Sequence, residues 1–194
     1  MTRALQILGI LLAGCLLASA QVGSLGDNDR KALVRTSSLI VVAIPEPKTG
    51  WIVNRPKMKA ADATNSIVDP SDYVVGRLIN ARVVEILKAD ASVKKGEVLK
   101  LFVNGWQDPL DAGNIVVPGE KSIVFLSKLD ESDPRLKDVG LYLLPAKNSE
   151  ILPFALSNLY QLTGEAHSVV SFTPTFLKTI QHDIRAQART SPKN

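Results

Sequence analysis

Residues 73–103 constrain the fold of this chain more than any other stretch. Residues 73–88, YVVGRLINARVVEILK, alternate apolar and polar side chains over a length that suits one long strand. Residues 89–96, ADASVKKG, carry turn chemistry, and EVLKLFV at 97–103 returns as the partner strand. A two-stranded hairpin is not stable alone in water, so its apolar face commits the rest of the chain to a packed sheet. Gly76 lies within the first arm, where a strand glycine marks a bulge or bend.

The remaining runs fit that commitment. SSLIVVAI at 37–44 is a β-branched apolar strand stopped by Pro45 and Pro47, and SIVFLS at 122–127 is a second buried strand. Shorter strands are expected at 140–144 (GLYLL), 154–162 and 168–172. Thr173 then stands as an N-cap before Pro174, and Phe176, Leu177, Ile180 and Ile184 recur at helical spacing. Arg185 and Arg189 suit the negative end of that helix. The fold class is therefore mainly β: a small OB-like barrel of about six strands with a C-terminal α-helix. It occupies residues 37–190 as a single domain. Residues 45–71, which hold Pro45, Pro47, Pro56 and Pro70, read as a long loop with a short edge strand around 51–53.

The first twenty residues, MTRALQILGILLAGCLLASA, have the layout of a signal peptide. Arg3 supplies the positive start, an apolar run follows, and Ala18-Ser19-Ala20 is a small-residue cleavage site. A second route is open. Leu12-Ala13-Gly14-Cys15 resembles the bacterial lipobox, in which segment 1–14 is removed and Cys15 carries the lipid. Either route makes the protein exported, periplasmic or secreted, and the second also ties it to a membrane. Residues 21–36, QVGSLGDNDRKALVRT, read as a polar tether into the domain.

Composition narrows the function classes. With 194 residues and 45% hydrophobic content the chain is neither disordered nor low in complexity. Its net charge of +4 comes from lysines and arginines interleaved with acids, with no basic block or stacking platform, so nucleic acid is not an expected partner. Cys15 is the only cysteine, which excludes a disulfide framework, a thiolate metal site and a cysteine nucleophile.

Motifs of catalysis are missing as well. There is no G-x-S-x-G, no P-loop and no G-x-G-x-x-G after a strand. His167 and His182 lack zinc spacing, and the acids at 27–29, 108–111 and 130–133 lack the calcium loop, so turn capping explains them more simply. Glu85 and Glu97 lie on opposing hairpin arms. With Arg82 and Lys100 beside them they suggest a cross-strand charge ladder rather than a hydrolase pair. No catalytic residue, metal or cofactor is assigned. Trp51 and Trp106 fall in expected loops, where tryptophans mark contact surfaces or fold back to cap a barrel. The candidate binding residues are Trp51, Asn104 and Trp106.

The succession SLIVVA, VVGRLINARVVEILKAD, KKGEVLKLFVNG, VVPGEKSIVFLSK and GLYLL resembles a diffuse group of exported bacterial domains over residues 37–145. Those domains are similar to the netrin/TIMP-type module, and P-G-E before a core strand is the most specific shared piece. The resemblance implies a barrel fold and no activity. TIMP-type inhibition uses an N-terminal cysteine on the protease zinc, and no cysteine follows Cys15 here. The expectation is a non-enzymatic binding or assembly module whose partner is another envelope or extracellular protein. A small Asp/Glu hydrolase and a lipid- or polysaccharide-binding barrel remain as alternatives.

Overall fold

The computed structural model describes residues 25–64, 72–89, 93–104, 119–130, 132–143, 151–152, 159–163 and 168–190. Cys15 and the whole signal region, Trp106, His167, Asp108 and Asp111 lie outside the described residues. In chain order the elements are α1 (Asp27–Thr36), β1 (Leu39–Asn54), α2 (Arg55–Thr64), β2 (Val74–Lys88), β3 (Val98–Asn104) and β4 (Ser122–Lys128). There follow a 3-10 turn (Pro134–Leu136), β5 (Val139–Leu143), β6 (Ile151–Leu152), β7 (Leu159–Leu162), β8 (Val169–Ser171) and α3 (Pro174–Thr190).

Five strands close into a barrel in the order β1-β2-β3-β7-β4, with β4 returning to β1. All of these pairs are antiparallel except β3 with β7. β5 and β6 extend the sheet from β1, and β8 lies beside β4, so the described residues hold eight strands rather than about six. The fold is mainly β, an OB-like barrel with a C-terminal helix, as the hairpin pattern requires.

Strand alternation divides the apolar residues into three layers. Leu39, Val41, Ala43, Ile79, Ala81, Val83, Leu99, Leu101, Val124, Leu126 and Tyr160 point inward and fill the barrel. Their neighbours on the outer wall, Ile40, Val42, Ile123 and Phe125, are covered by Leu33 and Val34 of α1 and Ile180 of α3. Farther along, Ile52, Leu78 and Phe102 are covered by Leu129, Leu136 and Val139. The closed inner layer supplies most of the driving force, at about 25 cal/mol for each Å² of apolar surface buried.

Three expectations are corrected. Asp27–Thr36, read as tether, is a helix. Asp27 and Asp29 stand in its first turn, Arg35 in its last, and Leu33 and Val34 are buried, so its amphipathic stripe is short but real. Residues 45–54, read as loop apart from a short edge strand around 51–53, all continue β1. Between Pro45 and Thr49 the β1 register advances by four residues against two on β2, from Pro45↔Ala81 to Thr49↔Ile79. This bulge lets the prolines sit in a barrel strand, where a missing N–H would otherwise break the ladder. Residues 55–64 form α2, whose first turn is capped by Asn54, with Oδ1 accepting from the Lys57 N–H at 3.1 Å.

Elsewhere the helix cap is as expected, the bulge is shifted, and of the strand expected at 154–162 residues 159–162 form β7 while 154–158 lie outside the described residues. Thr173 caps α3 through its Oγ1, which accepts from the Phe176 N–H at 3.2 Å. Gly76 is not itself bulged, since the irregularity falls one residue away between Ile52↔Gly76 and Val53↔Val74. Its lack of a side chain serves close packing, because a Cβ there would meet the Val103 carbonyl oxygen and come within 2.6 Å of Phe102 Cε2.

Candidate functional site

The β1–β2–β3 ladder brings Trp51 and Asn104 to the same end of the barrel. Trp51 pairs with Arg77, which pairs with Val103, and in the next row Ile52 pairs with Gly76 and Gly76 with Asn104. Trp51 is therefore a strand residue, as the edge strand expected around 51–53 implies, and the surrounding residues are strand as well rather than loop. Arg77 and Val103 lie two residues from Ile79 and Leu101, which line the interior. By the two-residue period, the Trp51–Arg77–Val103 row continues the inner face beyond the filled core. Trp51 and Arg77 are half-buried there, and the Arg77 guanidinium carbon sits 4.9 Å from the centre of the Trp51 ring. Such a stack is worth about 0.5–1 kcal/mol near solvent.

Asn104 is exposed at the end of β3, on the outer side of the wall. The pair of rows thus offers an aromatic plane, a delocalised cation and an amide around one rim, a combination suited to holding a polar or aromatic group of another molecule. Arg77 was not singled out in the sequence. The signal for it was its position in the long strand two residues before Ile79, which puts it on the inward face where a cation requires a partner.

The other candidate groups have structural work. Arg82 pairs with Glu46 across β1 and β2, NH2 to Oε1 at 2.8 Å, instead of joining a ladder with Glu97. Glu97 Oε2 accepts from the Lys94 backbone N–H at 2.9 Å, and Glu85 Oε1 accepts from Gln181 Nε2 of α3 at 3.4 Å. The two carboxylates therefore serve different local contacts rather than one cleft. His182 is exposed on α3.

In the acidic segment 130–133, Asp130 Oδ1 accepts from both the backbone N–H and the hydroxyl of Ser132, each at 2.8 Å. Asp133 caps the 3-10 turn by accepting from the Arg135 N–H at 2.9 Å and holds the Arg135 guanidinium at 2.5 Å. That guanidinium also lies over the Phe102 ring, 5.5 Å from its centre. Hydrogen bonds from Arg135 hold the Asp133 carboxyl below the usual carboxylate range, and those from Ser132 do the same for Asp130. Among the described residues no group of three or more His, Cys, Asp or Glu side chains gathers to hold a metal, and no helix is long and apolar enough to cross a membrane.

Compared with known proteins, the chain matches no family model and no curated protein sequence.

Proposed function

We propose that this chain is an exported binding or assembly module of the cell envelope or extracellular space, which works without catalysis and meets another protein at the Trp51 end of its barrel. The observation that carries this reading is the half-buried Trp51–Arg77 stack on a rim that also presents Asn104. Aromatic and arginine side chains of this kind dominate binding energy at protein interfaces. Export is supported by Arg3, the apolar run behind it and Ala18-Ser19-Ala20, and a membrane tether by Cys15 in its lipobox-like setting. The mass of the N-terminal peptide of the exported protein separates the two routes: a free end at Gln21, or a lipid-modified Cys15.

The alternatives have less behind them. Acid hydrolysis needs two carboxylates facing one cleft, whereas Glu85 and Glu97 are engaged with Gln181 and Lys94. A ligand held inside the barrel needs a lumen, and the interior is occupied by residues from Leu39 to Tyr160 that are nearly inaccessible to solvent.

In-cell crosslinking of the exported protein, followed by affinity capture and mass spectrometry, tests the proposal. One dominant protein partner, lost in Trp51→Ala but retained in Val98→Ala, supports it. Capture of no protein partner by a folded, exported wild type overturns it and returns the hydrolase reading to the front.

A further inference from the structure

Separate from the barrel rim, the outward face of α3 carries a row of basic side chains. Lys178, His182, Arg185 and Arg189 follow one another at intervals of four, three and four residues. At about 100° per residue they fall within an arc of about 60° on the helix. All four are exposed, and the buried Ile180 and Asp183 lie on the opposite side. We infer that this face of α3 rests on an anionic lipid bilayer, with Lys178, Arg185 and Arg189 against the headgroups.

Charge complementarity carries the inference. Lys178, Arg185 and Arg189 form no ion pair with any described residue. Asp183, the one acid of α3, is turned inward and held by Arg30, Nε to Oδ2 at 2.6 Å. Glu85 of β2 is hydrogen-bonded to Gln181 of α3. On α1, Asp27 is paired with Arg30, and both Asp27 and Asp29 stand in the first turn. The last turn of α1 brings Arg35 to the groove that Ala186 and Thr190 also line, which adds a cation beside the row. The exposed face of α3 is therefore positive along its length, with no acid among its exposed residues.

Shape and chain path favour a bilayer over a polynucleotide. From Lys178 to Arg189 the row runs about 16 Å along the helix axis, so a flat surface meets all three cations at once. The side chains flanking them are Thr179, Gln181, Ala186 and Ala188, and no aromatic group stands in the row for a base to stack on. The apolar run at 4–17 ends nine residues before α1, and the Arg30–Asp183 pair fastens α1 to α3. In the lipobox route, the twelve residues from Cys15 to Asp27 span at most about 40 Å, which keeps α3 within reach of the membrane that holds the lipid. A lipid and a basic patch together anchor a protein stably where one chain alone does not. Ile40 and Val42, which α1 and α3 cover, lie nine or more residues from Trp51 on β1, so the bilayer contact and the rim use different parts of the barrel.

The probe is vesicles of about 30% phosphatidylglycerol in phosphatidylcholine, co-sedimented at about 20 mM salt with exported protein carrying Cys15→Ala, so that no acyl chain contributes. Each cation held near an anionic surface raises the partition coefficient about fivefold. Binding should therefore be at least about tenfold stronger than to phosphatidylcholine alone, and it should weaken as salt rises to about 150 mM. Lys178→Gln/Arg185→Gln/Arg189→Gln, three exposed changes between good helix formers, should lower it at least about tenfold with thermal unfolding unchanged. Arg185→Lys/Arg189→Lys, which keeps the charge, should bind as wild type does. Lys57→Gln/Lys59→Gln/Lys95→Gln removes the same charge from exposed positions elsewhere and should retain most of the binding. Equal loss in the two triple variants, equal binding to both kinds of vesicle, or a DNA duplex bound more tightly than the anionic vesicles at the same salt would overturn the inference.

Discussion

Arg30 and Asp183, separated by 153 residues in sequence, form a buried ion pair that pins α1 to α3 across the outer wall of the barrel. A second Arg30 contact, to Asp27 in the first turn of the same helix, fixes the guanidinium between two carboxylates. Lys88 at the end of β2 completes the attachment, with Nζ donating to the Val34 carbonyl at 2.8 Å and so satisfying an acceptor at the C-terminal end of α1. The barrel wall beneath, Ile40, Val42 and Phe125, stays dry because of these polar ties as well as because of Leu33 and Val34.

Removing one partner of that pair leaves a buried charge behind. Asp183→Ala is expected to destabilise the protein by about 3 kcal/mol. Arg30→Met/Asp183→Leu, which removes both charges and keeps the volume, should recover most of the loss. Urea unfolding of the two variants checks this. Equal destabilisation by the single and double changes would show that the helices are held by packing alone.

Gly76→Ala should cost about 3 kcal/mol, the upper end for overpacking a filled site. The new methyl group would meet the Val103 carbonyl and the Phe102 ring, and neither is the free end of a flexible chain. Thermal unfolding and amide exchange of the β2–β3 pair measure it. A variant as stable as wild type would mean that β3 lies farther from β2 at this row.

Acid should weaken the fold through its hydrogen-bonded aspartates. Arg135 lowers the folded pKa of Asp133, Ser132 that of Asp130 and Arg30 that of Asp27. Folded values below unfolded ones mean that each ionised group contributes stability above about pH 4 and loses it as pH falls through the folded value. Asp133→Asn should therefore be less stable than wild type at neutral pH by under about 1 kcal/mol, as expected for a surface pair. That gap should close by about pH 2. Urea midpoints at several pH values decide it, and a gap that is independent of pH would remove Asp133 from the acid response.

The hairpin, the 37–44 strand and the capped last helix were legible because each announces itself locally, by two-residue alternation or by Thr173-Pro174 ahead of an apolar stripe. Of residues 45–54 only the short strand around 51–53 was, because proline in a barrel strand is tolerated only through the bulge between Pro45 and Thr49, and that bulge is a relation to β2 rather than a local signal. α1 escaped for a different reason. Its apolar stripe is only Leu33 and Val34, and Arg30 counts as buried only once Asp183, from the far end of the chain, is beside it. Trp51 was singled out for its size, but its place on the inner row next to Arg77 depends on the same bulge, which keeps inward and outward faces in phase.

Trp51→Ala and Arg77→Ala should each cost about 1 kcal/mol or less in stability, since the stack is half-exposed and the filled core lies below it. Trp51 fluorescence should shift in Arg77→Ala without any change in far-ultraviolet circular dichroism. Loss of the folded state in either variant would make the rim part of the core.

The most direct test of the binding proposal is site-specific photocrosslinking in cells. A benzophenone side chain replaces Asn104, one row from Trp51 on the same rim, and a control carries it at the exposed Val98 toward the other end of β3. The expected result is one dominant protein adduct from position 104 that is absent from position 98 and disappears when Trp51→Ala is added. The same adducts from both positions, or an adduct at 104 that is indifferent to Trp51→Ala, would contradict a binding face at this end of the barrel.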